Sequence, residues 1–388
     1  MKTAIVKTAT LTALVSSLTL LGAIAHADTA PALPTFPSLG GPLAADAKPF
    51  SFDAGPVGNV FVTGVVSGIA QAQSNTVGGV ASSQTDISNA QIFINKTDGM
   101  IQFSGQFGSY SLPALGFPYV KAEKTTPLYG VFSQGYIKFV PSDSFNVMVG
   151  KLPTLIGDEY TFSFENMNIQ RGLLWGQEPA VSRGVQANYS SGPVAVSVSL
   201  NDGYYSNKYD TVSGALTYTL DSSNIFVASA SGHTGSKSSV SSATTSPLLN
   251  NGQIYNLIYT HTAGPWTIQP YLQYNTTPAL PSLGLSTKET STTGAALLAS
   301  YKVNDNFSLP VRAEYIRSSG NATDGSANLL GFGAGSKAWS LTVTPTYQYK
   351  IFFARAELSY VGIDTAAFGK NADKKNQVTG LLETGIMF

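Results

Sequence analysis

The sequence predicts an all-β chain closed into a transmembrane, antiparallel, up-and-down barrel of about 16 strands, with short periplasmic turns and long extracellular loops. Three observations carry this fold class: a composition poor in ions, an apolar/polar alternation of period two running from Val60 to Phe388, and connections that alternate between short and long.

Charged residues make up 11% of the 388-residue chain, less than half the roughly 25% of ordinary soluble domains. The 22 basic and 22 acidic residues cancel, and no run of like charge occurs. That excludes the electrostatic footprint of a nucleic-acid binder. The chain has no cysteine, which removes disulfide frameworks, thiolate metal sites and cysteine nucleophiles from consideration.

At the N-terminus, Lys2 and Lys7 precede a largely apolar stretch that ends in the small-residue triplet Ala25-His26-Ala27. This is the pattern of a cleaved export signal over residues 1–27; the alternative is a single anchoring helix, against which the interspersed serines and threonines count. Beyond residue 27 no segment reaches the roughly 18 consecutive apolar residues that a spanning helix needs, so an exported chain is either soluble or spans a membrane with strands. Residues 28–56 are rich in Pro, Gly and Ala without sustained periodicity and read as an extended linker or a small plug. The barrel is expected over residues 57–388.

Within it, Val194, Val196, Val198 and Leu200 share one face of a strand, as do Trp266, Ile268, Leu272 and Tyr274, and Trp339, Leu341, Val343, Tyr347 and Tyr349. Turn chemistry at 96–99, 141–144, 190–193, 221–224, 263–265, 304–306 and around Lys350 marks short connections. Longer polar links fall at 73–86, 111–128, 154–180, 203–210, 234–250, 277–290, 319–336 and 364–376. Alternating link lengths separate a membrane barrel from a soluble sandwich, and an even strand number returns both ends to the side of the short turns. The last strand places Val378, Leu382, Ile386 and the terminal Phe388 on one face. Such an ending resembles the C-terminal signal that the barrel-assembly machinery of bacterial outer-membrane proteins recognises, and it names that machinery as an expected partner through Phe388.

Two strands carry full charges among apolar residues, and lipid decides where these go. Along residues 352–360 one parity holds Phe352, Ala354, Ala356, Leu358 and Tyr360, the other Phe353, Arg355, Glu357 and Ser359. Turning the strand over would point Arg355 into hydrocarbon at about 2–4 kcal/mol near the midplane. The charged parity therefore faces the interior. Residues 307–315 repeat the arrangement with Arg312 and Glu314 inward, and Glu383 takes the inward parity of the last strand. Arg312, Glu314, Arg355, Glu357 and Glu383 are thus the candidate pore-lining residues, a belt at similar height on one wall. Two readings stay open: an ionic network that braces the wall, and a transverse field that orients solutes in passage.

A barrel of this size is too wide for its side chains to fill and encloses water unless a segment folds inside. The longest link, 154–180, carries Leu173, Leu174 and Trp175 together with Asp158, Glu159, Glu165, Arg171 and Glu178. It is expected to enter the lumen as a constriction; an external cap or an intersubunit latch is the alternative. Outward aromatics form two expected interface girdles, Trp266, Tyr349, Phe352 and Phe388 toward the periplasmic turns and Tyr274, Tyr315 and Tyr360 toward the loops, although β-propensity alone also enriches aromatics.

Beyond the export signal only His233 and His261 are available, and the strand assignment puts them at opposite ends of the barrel. Neither catalytic nor metal-ligating residues are assigned, and no cofactor is expected.

The region Gly150–Tyr189 carries Gly150-Lys151 running into Leu155-Ile156-Gly157-x-Glu159, an asparagine-bearing link, Leu173-Leu174, Pro179 and then Gly184-Val185. These features resemble the OmpL-like family of bacterial outer-membrane β-barrel porins. The resemblance implies a channel for small solutes in the bacterial outer membrane, with lipid and small hydrophilic solutes as partners and no enzymatic activity. It supplies no substrate, and the proline-rich N-terminal segment departs from it. Against passive diffusion stand a structural or adhesive barrel with a plugged lumen and a soluble secreted all-β binding protein. Without Lys2 and Lys7 the chain holds 20 basic and 22 acidic residues, net −2, too little to set ion preference. A homo-oligomer stays open.

Overall fold

The structure, a computed structural model, describes residues 39–240 and 246–388. The expected export signal and the first part of the segment 28–56 lie outside the described residues. Sixteen strands run in chain order as β1 (Asn59–Gln73), β2 (Ser83–Lys96), β3 (Ile101–Tyr110), β4 (Phe132–Ser142), β5 (Phe145–Pro153), β6 (Val181–Ser191), β7 (Val194–Asn201) and β8 (Thr211–Asp221). They continue as β9 (Asn224–His233), β10 (Gln253–Ala263), β11 (Trp266–Thr277), β12 (Thr290–Lys302), β13 (Phe307–Ser318), β14, β15 (Phe352–Ile363) and β16 (Asn376–Met387). Strand β14 is made of Lys337–Val343 and Thr346–Tyr349, both paired with β15. Its ladder is interrupted at Thr344-Pro345 because proline offers no N–H.

Each strand pairs antiparallel with its sequence neighbours, and β16 returns to β1 with Met387 opposite Val65 and Thr379 opposite Gln73. No free edge remains in the ring. This is what hydrocarbon demands, since an unpaired N–H or C=O there has no water to bond. The seam is completed by the C-terminal residue: Gly64 N–H donates to the Phe388 carbonyl at 2.7 Å and Phe388 N–H donates to that of Gly64 at 3.0 Å. The Phe388 ring lies over Gly64 on the outer face, so that a Cβ at position 64 would come within 2.5 Å of it.

The short strand Phe50–Asp53 pairs with Asn59–Val62 at the start of β1. The sheet therefore reaches into the segment expected to precede it, because Phe50 and Phe52 already alternate with polar residues. A bulge between Ser67 and Gly68 inserts Ser88 opposite the turn of register in β1–β2.

Side-chain parity sorts as the alternation requires. Leu358 is 58% exposed and Arg355 2%, although three residues separate them. Outward-facing Leu272, Leu297, Leu341 and Leu382 are likewise exposed. On the outer face of β8–β11 the small residues Gly214, Ala228 and Ala230 lie between Leu216 and Leu257 and leave an apolar groove of about 890 Å³.

The interior is not uniformly polar. Inward positions Ile258, Leu298, Ile316, Ala338, Val361 and Ile363 form an apolar cluster with Leu115, Leu173, Leu174, Leu330 and Phe332 from the links. A second cluster joins Val65, Phe93, Phe353 and Met387 to Phe162, Phe164 and Leu43. Simple alternation misses both, since these stretches are apolar on both parities.

Replacing Gly64 by valine forces the Phe388 ring off the seam. We expect a loss of about 1–3 kcal/mol, read as a smaller heat-modifiable fraction on unheated detergent gels; an unchanged fraction would show that the ring does not secure closure.

Candidate functional site

Residues 154–180 connect β5 to β6 with irregular backbone and two single-turn 3₁₀ segments, Ser163–Glu165 and Trp175–Gln177. Most of the segment is buried, and the groups that bury it are inward side chains from around the ring. Gly157 N–H donates to Asn256 on β10 at 3.3 Å, and Ser163 donates to Glu383 on β16 at 2.6 Å while accepting from Asn89 on β2 at 2.9 Å. Gln273 on β11 donates to the Leu174 carbonyl at 3.1 Å. Strands on several sides thus hold one segment between them.

The five expected belt residues provide the firmest of these contacts. Arg355 donates to the carbonyls of Ser163 (2.9 Å), Asn166 (2.9 Å) and Met167 (2.7 Å) and keeps Glu383 at 3.5 Å. Glu357, two residues on, accepts the N–H groups of Ile169 (2.5 Å) and Gln170 (3.0 Å) and the Thr344 hydroxyl (2.8 Å). The i, i+2 spacing of a strand puts a donor fork and an acceptor pair side by side, where they grip opposite polarities of one backbone. Arg312 bonds Glu159, donates to the Gln170 carbonyl at 2.8 Å and lies 3.3 Å from Glu314, which accepts from Leu174 N–H at 3.3 Å. The belt keeps two ion pairs along the wall, Arg312–Glu314 and Arg355–Glu383, and adds the loop to them. Its charges turn toward the loop backbone, and removing one partner of a buried charged pair costs about 3–5 kcal/mol.

The loop's own ionisable groups divide into two sets. Arg171 is fully buried beneath residues 111–115, whose Leu115 N–H donates to the Arg171 carbonyl at 3.0 Å; burial lowers its pKa to about 10. Its ring neighbour is Trp175, 5.4 Å from the guanidinium. The carboxylates are in excess. Burial, then the charge of Glu159, pushes Asp158 up to about 7. Burial likewise pushes Glu159 up to about 7 against the pull of Arg312, and Glu165 up to about 8. Glu178 rises well above the usual carboxylate range through burial, although the Tyr271 hydroxyl donates to it at 2.5 Å.

Residues ahead of the barrel join the same assembly. Gly40 N–H donates to the Glu165 carbonyl at 2.6 Å, and Gly41 comes so close to Asn166 that a Cβ would meet its carbonyl oxygen at 2.4 Å. Leu43 is 3% exposed in the Phe162–Phe164–Phe353 cluster. Ala44 exchanges two hydrogen bonds with Gln348 of β14, at 2.7 and 2.8 Å. Sequence reasoning left this segment open because proline, glycine and alanine carry no periodic pattern.

Between the first arm of the loop and β6, β8, β9, β10 and β11 a cavity of about 120 Å³ remains. Asp158 and Glu159 stand on the loop side, with Gln186, Thr217, Thr260 and Gln269 on the wall. Among the described residues no group of three or more His, Cys, Asp or Glu comes together as a metal site. His233 meets Asp210 at 3.3 Å, while His261 meets Asn224 at 2.8 Å on the same strand pair but at its other end.

Of the aromatics assigned to the interfaces, Trp266, Tyr274, Tyr315, Tyr349, Phe352 and Phe388 are exposed on the outer face, and Tyr360 lies half-buried against Trp339, ring centres 4.9 Å apart. Exposed Trp339 and Tyr347 extend the same outer surface.

The family described as "Putative beta-barrel porin-2, OmpL-like" matches residues 59–388. No curated protein sequence matches the chain. Among solved structures, the outer-membrane channel DcaP of Acinetobacter baumannii is similar with a TM-score of 0.58 at 13% identity, over 84% of this chain and 97% of that one. The anion-selective porin of Comamonas acidovorans gives 0.57 at 11% identity over 85% and 99%. OmpT of Vibrio cholerae gives 0.55 at 13% identity over 89% and 100%. At such identities the likeness is one of fold.

The raised carboxyls set a pH dependence for loop docking. Between the free carboxyl range near 4 and about 7 to 8 for Asp158, Glu159 and Glu165, the docked loop retains protons that an undocked loop releases. Docking is thus fully favoured below that window and weakens as pH rises through it. With Trp266 and Trp339 changed to phenylalanine, Trp175 emission is expected to shift red from pH 5 to pH 8.5; identical spectra would contradict the linkage.

Proposed function

The chain belongs to the OmpL-like beta-barrel porin-2 family, and from that premise we propose that it is a passive diffusion channel for small hydrophilic solutes, constricted by residues 154–180. A porin-like barrel of the bacterial outer membrane sets the general frame. The observation that carries the finer reading is the backbone grip of Arg355, Glu357 and Arg312 on residues 163–170. It holds the loop within the ring and leaves the cavity of about 120 Å³ beside the loop's first arm, on the side of β6–β11 whose inward side chains include Ser197, Ser213, Ser229 and Asn256. Hydroxyl and amide groups replace part of a solute's hydration without trapping it, as transit requires. Flow then follows the solute's own gradient.

In this reading the belt residues act by positioning the constriction, and the outer aromatics anchor the barrel at the two lipid interfaces. Phe388 is both the end of the seam and the feature that the assembly machinery would engage.

A second reading, a lumen closed by the N-terminal segment, is favoured by the contacts of Gly40 with Glu165 and of Ala44 with Gln348. Planar-bilayer recording separates the two. Deleting residues 160–175 is expected to raise single-channel conductance severalfold, and deleting 39–48 to raise it less. Conductance unchanged by the first deletion rejects the constriction, while a silent full-length chain that opens only after the second identifies a plug.

A further inference from the structure

The cavity between loop and wall has an uneven charge. Asp158 and Glu159 line it on one side, the neutral Gln186, Thr217, Thr260 and Gln269 on the other, and none of its lining residues carries a positive charge. The lumen's three arginines are turned elsewhere. Arg312 and Arg171 are fully buried, and Arg355 is 2% exposed with its guanidinium on three loop carbonyls. Glu159 keeps Arg312 as its counter-ion, so the carboxylate that a solute in the cavity meets without one is Asp158.

Two carboxyl groups here have capacity left over, Asp158 on the cavity and Glu178 behind its edge. Asp158 has only Gln269 near Oδ1, at 3.5 Å, and its Oδ2 has no hydrogen-bond partner. Glu178, 7% exposed, takes the Tyr271 hydroxyl on Oε1, while its buried Oε2 is unpartnered. That oxygen presses against Gly157 at the cavity edge, where a Cβ would come within 1.7 Å of it. Only a glycine admits the carboxylate there. Buried unpaired acceptors of this kind call for a donor that the protein does not supply.

We propose that the channel selects small monovalent cations over anions, and that Asp158 and Glu178 are its specificity-determining residues. This rests on the channel reading above. An ammonium group or a potassium ion crossing the cavity passes the Asp158 carboxylate, with the Glu178 carboxyl behind Gly157 at the edge, and the opposite amides and hydroxyls complete its shell. An anion finds like charge on one side and no guanidinium on the other. The carboxylates do not converge as a metal site, so the cation passes rather than stays.

The charged and titratable groups that act on Asp158 and Glu178 are Glu159, Glu314, Tyr160, Tyr204 and Tyr271, while Arg312 and Arg171 act on Glu159 and Glu165 acts on Tyr160. With Asp158 titrating at about 7, selection strengthens as pH rises past neutrality.

The test is the reversal potential of the full-length chain in planar bilayers across a KCl gradient. We expect potassium to permeate about threefold or more better than chloride at pH 8.5, and this ratio to fall about twofold at pH 5 and in Asp158→Asn. Glu178→Gln serves as the second variant should Asp158→Asn insert poorly. A ratio at or below unity at pH 8.5, or one unmoved by both substitutions, overturns the inference while leaving the channel intact. Absence of any conductance steps overturns the channel reading and the inference together.

Discussion

Irregular backbone enclosed at membrane depth has to find partners for its N–H and C=O groups within the protein. In this chain that constraint falls on residues 154–180, which have almost no ladder of their own. Arg355 answers three carbonyls and Glu357 two N–H groups, with Arg312, Glu314 and Glu383 completing the grip. The same ions that lipid forbids on the outer parity are those the loop requires on the inner one. The apolar cluster around Leu173 and Leu174 then seats the loop's second half against β12–β15. Polar grip and apolar seat together hold the loop against β12–β16.

Much of the barrel was legible in the sequence because period-two alternation and turn chemistry are local signals. The seven short and eight long connections lie where composition indicated them. The inward parity of Arg312 and Arg355 followed from one comparison of energies. What could not be read was non-local. The belt charges were legible as partners for one another, as Arg312–Glu314 and Arg355–Glu383 are, but nothing in a strand's sequence reveals that a loop backbone lies opposite as well. The inner apolar residues Ile316, Val361 and Ile363 belong to stretches where both faces are apolar, and alternation is silent there. Strand β14 read as continuous although Pro345 interrupts its ladder, and Phe50–Asp53 read as part of an extended linker or plug because four residues are too few to establish a period. The burial of Leu43 had no signature, since a lone leucine among glycines and alanines has no face.

Fold and selectivity are carried by different parts of such a molecule. Neighbours at 11–13% identity share the barrel with this chain, because many sequences satisfy the rule of oily outside and wet inside. The side chains facing the cavity obey no such rule. They come from one arm of one loop and from a neutral wall facing it, so on the channel reading proposed above a single carboxylate would change what passes while the barrel stays as it is.

The placement of residues 154–180 inside the ring is tested most directly by a pair of cysteines, for which the chain, having none of its own, is a clean background. Asn168 and Thr344 touch at 2.7 Å across the loop–wall contact. With both changed to cysteine, oxidation of the folded barrel should join them, giving a reducible change in gel mobility. If both thiols instead react separately with a bulky maleimide added from outside and no crosslink forms, the loop lies outside the bore and the account is wrong.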